Sequence, residues 1–102
     1  MNYKKTIEFL SKSMMDNITD GEMLFSFTKK MKDSGNVEMG NFFLSRIKVR
    51  LQMANEDNQK IMDLVKKYKQ ENDKVDDLWD WAYDYLIKQK EELDYKVQSF
   101  KM

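Results

Sequence analysis

The residues best suited to binding or catalysis lie in one short run, residues 76–85, where four carboxylates interleave with four aromatic rings. On a helix these carboxylates project from one side and form an acidic strip, with Trp81 and Tyr85 beside the main apolar stripe. Tryptophan and tyrosine dominate the energetics of many protein interfaces. We therefore predict a partner-binding surface made of six residues: Asp76, Asp77, Asp80, Trp81, Asp84 and Tyr85.

The acidic strip also has more ordinary interpretations. Charge runs are usually solvated helix faces, and acids in the first turn of a helix favour its dipole. Aromatic residues at helical spacing are usually core, so Trp81 and Tyr85 could instead pack against an N-terminal arm. A Mg²⁺ or Ca²⁺ site is a poor fit, because its oxygen ligands must converge from several directions. We predict that the acidic strip docks a partner with a basic surface.

A second candidate set is basic and could contact an anion or a nucleic acid: Arg46, Arg50, Lys66, Lys67 and Lys69. Arg46 and Arg50 are one helical turn apart, close enough to hold a phosphate or carboxylate in a bidentate fork. The alternative is that these arginines pair with acids of another helix. The 18 basic and 18 acidic side chains of the chain cancel, which disfavours general nucleic-acid binding because such binding uses a net basic face.

The residue types that most enzymes need are scarce, since the sequence contains no histidine, no cysteine and only three glycines. A Ser/His or Cys/His pair, a sulfur-rich zinc site and a glycine-rich phosphate loop are therefore excluded. A carboxylate-bridged di-iron site in a helical bundle requires histidines as well. We expect a protein without catalytic activity, cofactor or bound metal.

The longest apolar pattern predicts a helix over residues 37–69, because its seam residues recur at intervals of three and four. The seam has eight residues, of which only Asn58 is polar: Leu44, Ile47, Leu51, Ala54, Asn58, Ile61, Val65 and Tyr68. A fourth helix over residues 73–100 repeats the spacing and turns back antiparallel across the polar segment 69–73. The resulting register brings Asn58 within one layer of Gln89 and predicts a hydrogen bond between them.

The N-terminal arm is expected to contain two helices, residues 2–16 and 20–33, separated by a break at Asn17. The break is predicted because Thr19 and Glu22 have the spacing of a capping box at the start of a new helix. With the two later helices, this arm makes an all-α, elongated antiparallel helical bundle. A compact four-helix packing is the alternative if the break folds into a tight hairpin.

The second helix of the arm should bury an apolar stripe made of Leu24, Phe27 and Met31. It should end at Gly35, because glycine accepts the left-handed conformation that closes many helices. Asn36 can then cap the following helix.

The length of the chain fits a single helical domain, residues 1–102. Several large apolar side chains lie off the seams and predict an exposed patch or an oligomer interface: Met15, Phe25, Met39, Phe42 and Met53. No apolar run is long enough for a secretory signal or a membrane-spanning helix. Because the sequence also lacks cysteine, we expect a cytoplasmic protein.

Together these features predict a non-enzymatic protein–protein interaction module, such as an adaptor, a regulator or a small inhibitor, that uses the acidic and aromatic face of the fourth helix. A homodimer is compatible with the apolar side chains outside the seams. One alternative is a nucleic-acid-associated protein that uses the basic face of the third helix. Another is an inhibitor from a phage or other mobile element that docks on a nucleic-acid enzyme.

Overall fold

The structure, a computed structural model, describes the backbone of residues 3–71 and 77–101 and the side chains of residues 3–68 and 83–101. These residues form three helices: α1 (Tyr3–Asp33), α2 (Val37–Glu71) and α3 (Asp77–Ser99). Consecutive helices run antiparallel in a bundle of 55 × 21 × 16 Å. The predicted all-α fold and its elongated shape are confirmed. The turn predicted at residues 69–73 begins too early, because α2 continues through residues 69–71, and residues 72 and 73 lie outside the described residues.

The predicted break in the N-terminal arm is wrong, because α1 continues without interruption through Asn17 and Thr19. The reason is tertiary packing: the buried positions continue at helical spacing from Met14 through Ile18 and Gly21. The side chain of Asn17 is itself buried and is bonded to α2, so it does not end a helix. Thr19 lies exposed on the helix surface. The continuity of α1 also rules out the compact four-helix alternative.

The buried face in the second half of α1 is rotated from the predicted one. Gly21, Phe25 and Thr28 are buried there, because an uninterrupted helix keeps the phase set by its first half. The Thr28 hydroxyl is satisfied within the helix, where it donates to the Leu24 carbonyl at 2.9 Å. The predicted positions are all more exposed than these: Leu24, Phe27 and Met31.

The turn between α1 and α2 forms as the sequence predicts. Gly35 has a φ of 76°, in the left-handed region that glycine enters without steric cost. The Gly35 amide donates to the Lys32 carbonyl at 3.0 Å, and the Asn36 amide donates to the Met31 carbonyl at 2.8 Å. These two bonds make a Schellman motif. Asn36 then caps α2, because its Oδ1 accepts a hydrogen bond from the Met39 amide at 3.1 Å.

The seam of α2 forms the centre of the core and is shared by the two other helices. Ile47 and Ala54 are fully buried and Ile61 is 1% exposed. One apolar cluster joins the first half of α1 to Ala54, Ile61 and Leu86, and a second joins Phe25 to Ile47 and Leu93. Over the described residues, α1 and α2 make the most extensive contact, and α3 lies against both. None of the helices in this part of the chain has an apolar stretch that could cross a membrane.

Candidate protein-binding surface

Helix α3 covers only one side of the pair formed by α1 and α2. Its Leu93 side chain lies against Gly21 of α1, where an ideal Cβ at position 21 would be 2.7 Å from Leu93 Cδ2. On α2, Asn55 Oδ1 accepts a hydrogen bond from the Lys90 ammonium at 2.7 Å. Asp57 is two residues from Asn55, which is about 200° around the helix. Asp57 therefore faces away from α3.

Asn58, the polar residue of the α2 seam, is bonded to a different partner from the predicted one. Its Oδ1 accepts a hydrogen bond from the Tyr83 hydroxyl, whereas the predicted partner was Gln89, six residues further along α3. The Tyr83 side chain is long enough to span the interface from its own turn of α3 and reach Asn58. Burial, and next the negative charge of Asp84, raises the pKa of Tyr83. The tyrosine is therefore held in its neutral, hydrogen-donating form.

On the side away from α3, polar side chains bridge α1 and α2. Asp57 is only 9% exposed and accepts hydrogen bonds from Ser13 Oγ at 2.7 Å and from Asn17 Nδ2 at 3.3 Å. The Oδ1 of Asn17 accepts from Nη1 of Arg50 at 3.3 Å. The Nη2 of the same arginine lies 4.0 Å from Asp20 Oδ2. A neutral amide thus stands between a buried carboxylate and a guanidinium.

These bridges fix the register of α1 against α2. Facing pairs recur at intervals of seven along both helices, as in an antiparallel coiled coil: Ser13 with Asp57, Asp20 with Arg50, and Phe27 with Phe43. The rings of the last pair have centroids 5.8 Å apart. The position of any residue of α1 along the bundle can therefore be matched to a residue of α2.

Beyond the bridges, the outer side of the α1–α2 pair carries exposed apolar side chains, which we call the open face. They are between 39% and 56% exposed: Met23 and Phe27 on α1, and Met39, Phe42, Val49 and Met53 on α2. The α2 members lie on one stripe, because together with Arg46 they recur at intervals of three and four. Helix α2 thus has two apolar stripes, one in the core and one in solvent.

Charged side chains of both signs flank the open face. Asp16 and Glu56 are exposed beside Met53 at one end. Lys30 is exposed at the other end, where its ammonium lies over the Phe27 ring at 5.8 Å from the centroid. The open face therefore combines exposed apolar side chains with charges of both signs, including Arg46 within the α2 stripe.

The sequence predicted part of this surface. Met39, Phe42 and Met53 are exposed as expected, but Phe25 is 8% exposed and belongs to the core, because the continuous α1 turns it inward. Met15 is half exposed and lies elsewhere on α1. Val49 was missed, although its three-residue and four-residue spacing from Arg46 and Met53 marks the second stripe of α2.

Two of the six residues predicted to bind a partner have described side chains. Asp84 is exposed, and Tyr85 is 54% exposed. Asp76 lies outside the described residues. The same is true of the side chains of three further members: Asp77, Asp80 and Trp81.

The predicted basic residues do not converge on one site. Arg50 points toward α1, where it bonds to Asn17 and lies near Asp20, in agreement with the alternative that these arginines pair with another helix. Arg46 is exposed on the open face. Lys66 and Lys67 are exposed about 30 Å further along α2, and the side chain of Lys69 is outside the described residues.

A groove of about 540 Å³ lies between α2 and α3. Leu51 and Val97 contribute apolar lining, and Lys48 and Asp94 contribute one charge of each sign. Among the residues that the structure describes, no group of three or more acidic side chains is placed to hold a metal ion. The groove therefore has an apolar floor with one cation and one anion. This lining indicates no particular reaction.

Comparisons of the chain with protein-family models, with curated proteins and with solved structures found no match.

Proposed function

We propose that this chain is a non-enzymatic module that works by binding protein, as an adaptor, a regulator or a small inhibitor. The observation that carries the proposal is the open face, where six large apolar side chains lie together on the outside of a folded helical pair. Contiguous apolar surface of this kind marks interaction sites. Core packing alone does not require the second apolar stripe of α2, since the first stripe already meets α1 and α3.

The partner that fits the open face is another helical surface. The face is straight, because it follows two antiparallel helices, and it is two helices wide. Ridges of side chains on a helix pack into the grooves of such a surface. Methionine and phenylalanine supply most of the apolar area, and the flexible thioethers of Met23, Met39 and Met53 can adapt to the partner. We expect an apolar stripe on the partner, with charges that complement those of the open face.

Site-specific photo-crosslinking in the native cell tests this proposal. A photoreactive residue replaces Val49 on the open face or, as the matched control, Gln52, which lines the groove on the other side of the same helix. We expect a discrete adduct from position 49 and none of that mass from position 52. The captured protein, once identified and purified, should bind the wild-type chain and lose binding to Met53→Asp. Identical adduct patterns from the two positions would overturn the proposal.

The acidic and aromatic face of α3 is a second proposed contact, for a partner with a basic surface. Its support in the described residues is the exposure of Asp84 and Tyr85. Alanine at both positions should weaken binding of a basic partner while far-ultraviolet circular dichroism stays unchanged, and unchanged binding would remove this contact. We also propose a cytoplasmic location, which the cysteine-free sequence favours.

A further inference from the structure

We infer that the end of the bundle that carries the Gly35 turn binds the surface of an anionic lipid bilayer. This inference goes beyond the proposed function, because it concerns the end of the bundle and a lipid partner. The turn end, as we call it, consists of residues 24–46 and 96–101. The facing pairs of α1 and α2, together with the close approach of Leu93 to Gly21, place the limits of these ranges at one level along the bundle.

The turn end is strongly positive, although the whole chain has 18 charges of each sign. It contains six basic and two acidic residues, so its net charge is +4, and the rest of the chain, with 12 basic and 16 acidic residues, carries −4. All eight side chains are exposed: the basic Lys29, Lys30, Lys32, Arg46, Lys96 and Lys101, and the acidic Asp33 and Glu38. The cytoplasmic surface of cell membranes is anionic and attracts clusters of basic residues.

Apolar side chains are exposed among these charges, and five of the six phenylalanines of the chain lie in the turn end. Phe42 is 56% exposed, and Val37 and Met39, in the first turn of α2, are 51% and 43% exposed. The Phe43 ring lies between those of Phe42 and Phe27, with centroids 5.8 Å apart in each pair. Side chains of this kind bind membranes by entering the boundary between headgroups and acyl chains.

Lysine side chains of the turn end lie along phenylalanine rings. The Lys29 ammonium is 5.1 Å from the centroid of the Phe25 ring, and the Lys32 ammonium is 5.0 Å from that of Phe100. Within the described residues neither lysine makes an ion pair. Lysines at membrane interfaces combine the same two features, because their hydrocarbon stems cover apolar surface while their charges stay in water. Both ammonium groups are therefore available to lipid phosphate and carboxylate groups.

A bilayer fits the turn end better than a nucleic acid, which the same positive charge would also attract. Proteins that bind nucleic acids contact phosphates and bases mainly through arginine, lysine and other hydrogen-bonding side chains. The turn end has one arginine among its six basic residues and exposes Val37 and Met39 next to its turn. These two side chains make no hydrogen bond with phosphates or bases, but they are stabilised when they leave water for acyl chains.

Co-sedimentation of the purified full chain with lipid vesicles tests the inference. One set of vesicles contains phosphatidylcholine alone, and in the other set about one-third of the lipid is phosphatidylserine. We expect the chain to sediment with the anionic vesicles and to remain in solution with the neutral ones. Added sodium chloride should weaken binding, because salt screens exposed charges. A wild-type chain that does not bind the anionic vesicles at low salt overturns the inference.

Charge reversal at the two ends of the bundle provides matched variants. Lys29→Glu with Lys32→Glu should weaken vesicle binding by about 100-fold or more, because each basic residue near an anionic surface contributes about fivefold. Lys66→Glu with Lys67→Glu makes the same change in net charge at exposed positions about 44 Å from Val37. That distance is several Debye lengths, so binding should stay within about fivefold of wild type. Circular dichroism checks that both variants are helical, and equal losses of binding overturn the inference.

The depth of the apolar side chains is measured separately. Because the sequence has no cysteine, a single introduced cysteine carries a polarity-sensitive dye to one position. The dye on Val37→Cys should shift its emission to shorter wavelength when anionic vesicles are added. The dye on Met62→Cys, which replaces a side chain of similar exposure, 50%, on the far part of α2, should not shift. Unshifted emission at position 37, or equal shifts at both positions, overturns the inference.

Two further outcomes are distinct. If the chain binds a short DNA duplex or a single-stranded RNA but not anionic vesicles, and Lys29→Glu with Lys32→Glu abolishes that binding, the turn end binds nucleic acid and the inference is overturned. The vesicle experiments contain no second protein and the crosslinks at Val49, outside the turn end, report a protein contact. Failure of either proposal can therefore be recognised without the other.

Discussion

Leu93 of α3 occupies the space beside Gly21 of α1 where a side chain at position 21 would begin. An ideal Cβ at that position would lie 2.7 Å from Leu93 Cδ2, which is closer than real carbon contacts. Leu93 is 1% exposed, and Gly21 is buried as well. The glycine therefore forms a notch in α1 that lets α3 approach both other helices.

Filling this notch should destabilise the bundle. Alanine has a helix propensity about 1 kcal/mol better than glycine, but overpacking a core typically costs 1–3 kcal/mol. Because Leu93 is enclosed, we expect Gly21→Ala to lower the free energy of unfolding by about 1 kcal/mol and Gly21→Val to lower it further. Urea unfolding followed by circular dichroism measures both changes.

The Leu93→Val background is the matched control for the notch, because valine lacks the δ-carbon that approaches position 21. In that background Gly21→Ala should be neutral or stabilising, since the gain in helix propensity remains and the close contact is gone. Equal effects of Gly21→Ala in both backgrounds would show that the contact with Leu93 is not the cause.

The bridge through Asn17 should contribute measurably to stability. Asn17→Ala removes one donor from buried Asp57 and one acceptor from Arg50, and leaving such groups unsatisfied costs about 1–3 kcal/mol. We expect a loss of that size in chemical unfolding. Asp16→Ala, at the exposed neighbouring position, should change stability by less than about 0.5 kcal/mol. Similar losses in the two variants would argue against the bridge.

The raised pKa of Tyr83 predicts a loss of stability at alkaline pH. In the unfolded chain this tyrosine ionises near pH 10, whereas in the folded chain burial and Asp84 hold its pKa higher. The stabilising contribution is thus complete below about pH 10 and is lost as pH rises through the folded-state pKa. Tyr83→Phe should reduce the alkaline dependence of the unfolding midpoint.

Spectrophotometric titration of the five tyrosines provides an independent measurement. We expect one late step in the folded protein, which disappears in Tyr83→Phe. Tyr95→Phe is the control, because it removes a tyrosine that is 73% exposed and should leave the late step in place. A late step that survives Tyr83→Phe would assign it to another tyrosine.

Gly35 should resist substitution because of its backbone conformation alone. Its φ is 76° and no atom lies within 4 Å of an added Cβ, so any cost is conformational. We expect Gly35→Ala to lower stability by about 1 kcal/mol, and Gly35→Asn to cost less because asparagine tolerates the left-handed region better. Thermal unfolding of the two variants tests this order, and equal stabilities would contradict it.

The sequence predicts the local features of this fold well where one physical signal acts alone. Gly35 and Asn36 have the turn chemistry that their positions require, and the α2 seam has a period that only a helix satisfies. The break at Asn17 was wrong because two signals competed. The capping pattern of Thr19 and Glu22 is local, whereas the continued burial of α1 depends on its packing against α2.

The candidate binding surface was only partly predictable for a related reason. A second apolar stripe on α2 can be read from its spacing, but whether the stripe is covered depends on where α3 lies. The bridge between Arg50, Asn17 and Asp57 depends on the register of two helices, which no local pattern encodes. The acidic run at residues 76–85 draws attention by composition, whereas the exposed apolar stripe of α2 lies on the side of that helix away from α3.

The three-residue turn at Gly35 also bears on the order in which the chain assembles. It joins the two helices that make the most extensive contact over the described residues, so the main interface forms between neighbours in sequence and little loop entropy opposes it. We expect α1 and α2 to pair first and α3 to dock later, when Leu93 enters the notch at Gly21. Amide protons of α3 should then exchange with solvent through partial openings that leave the other two helices paired.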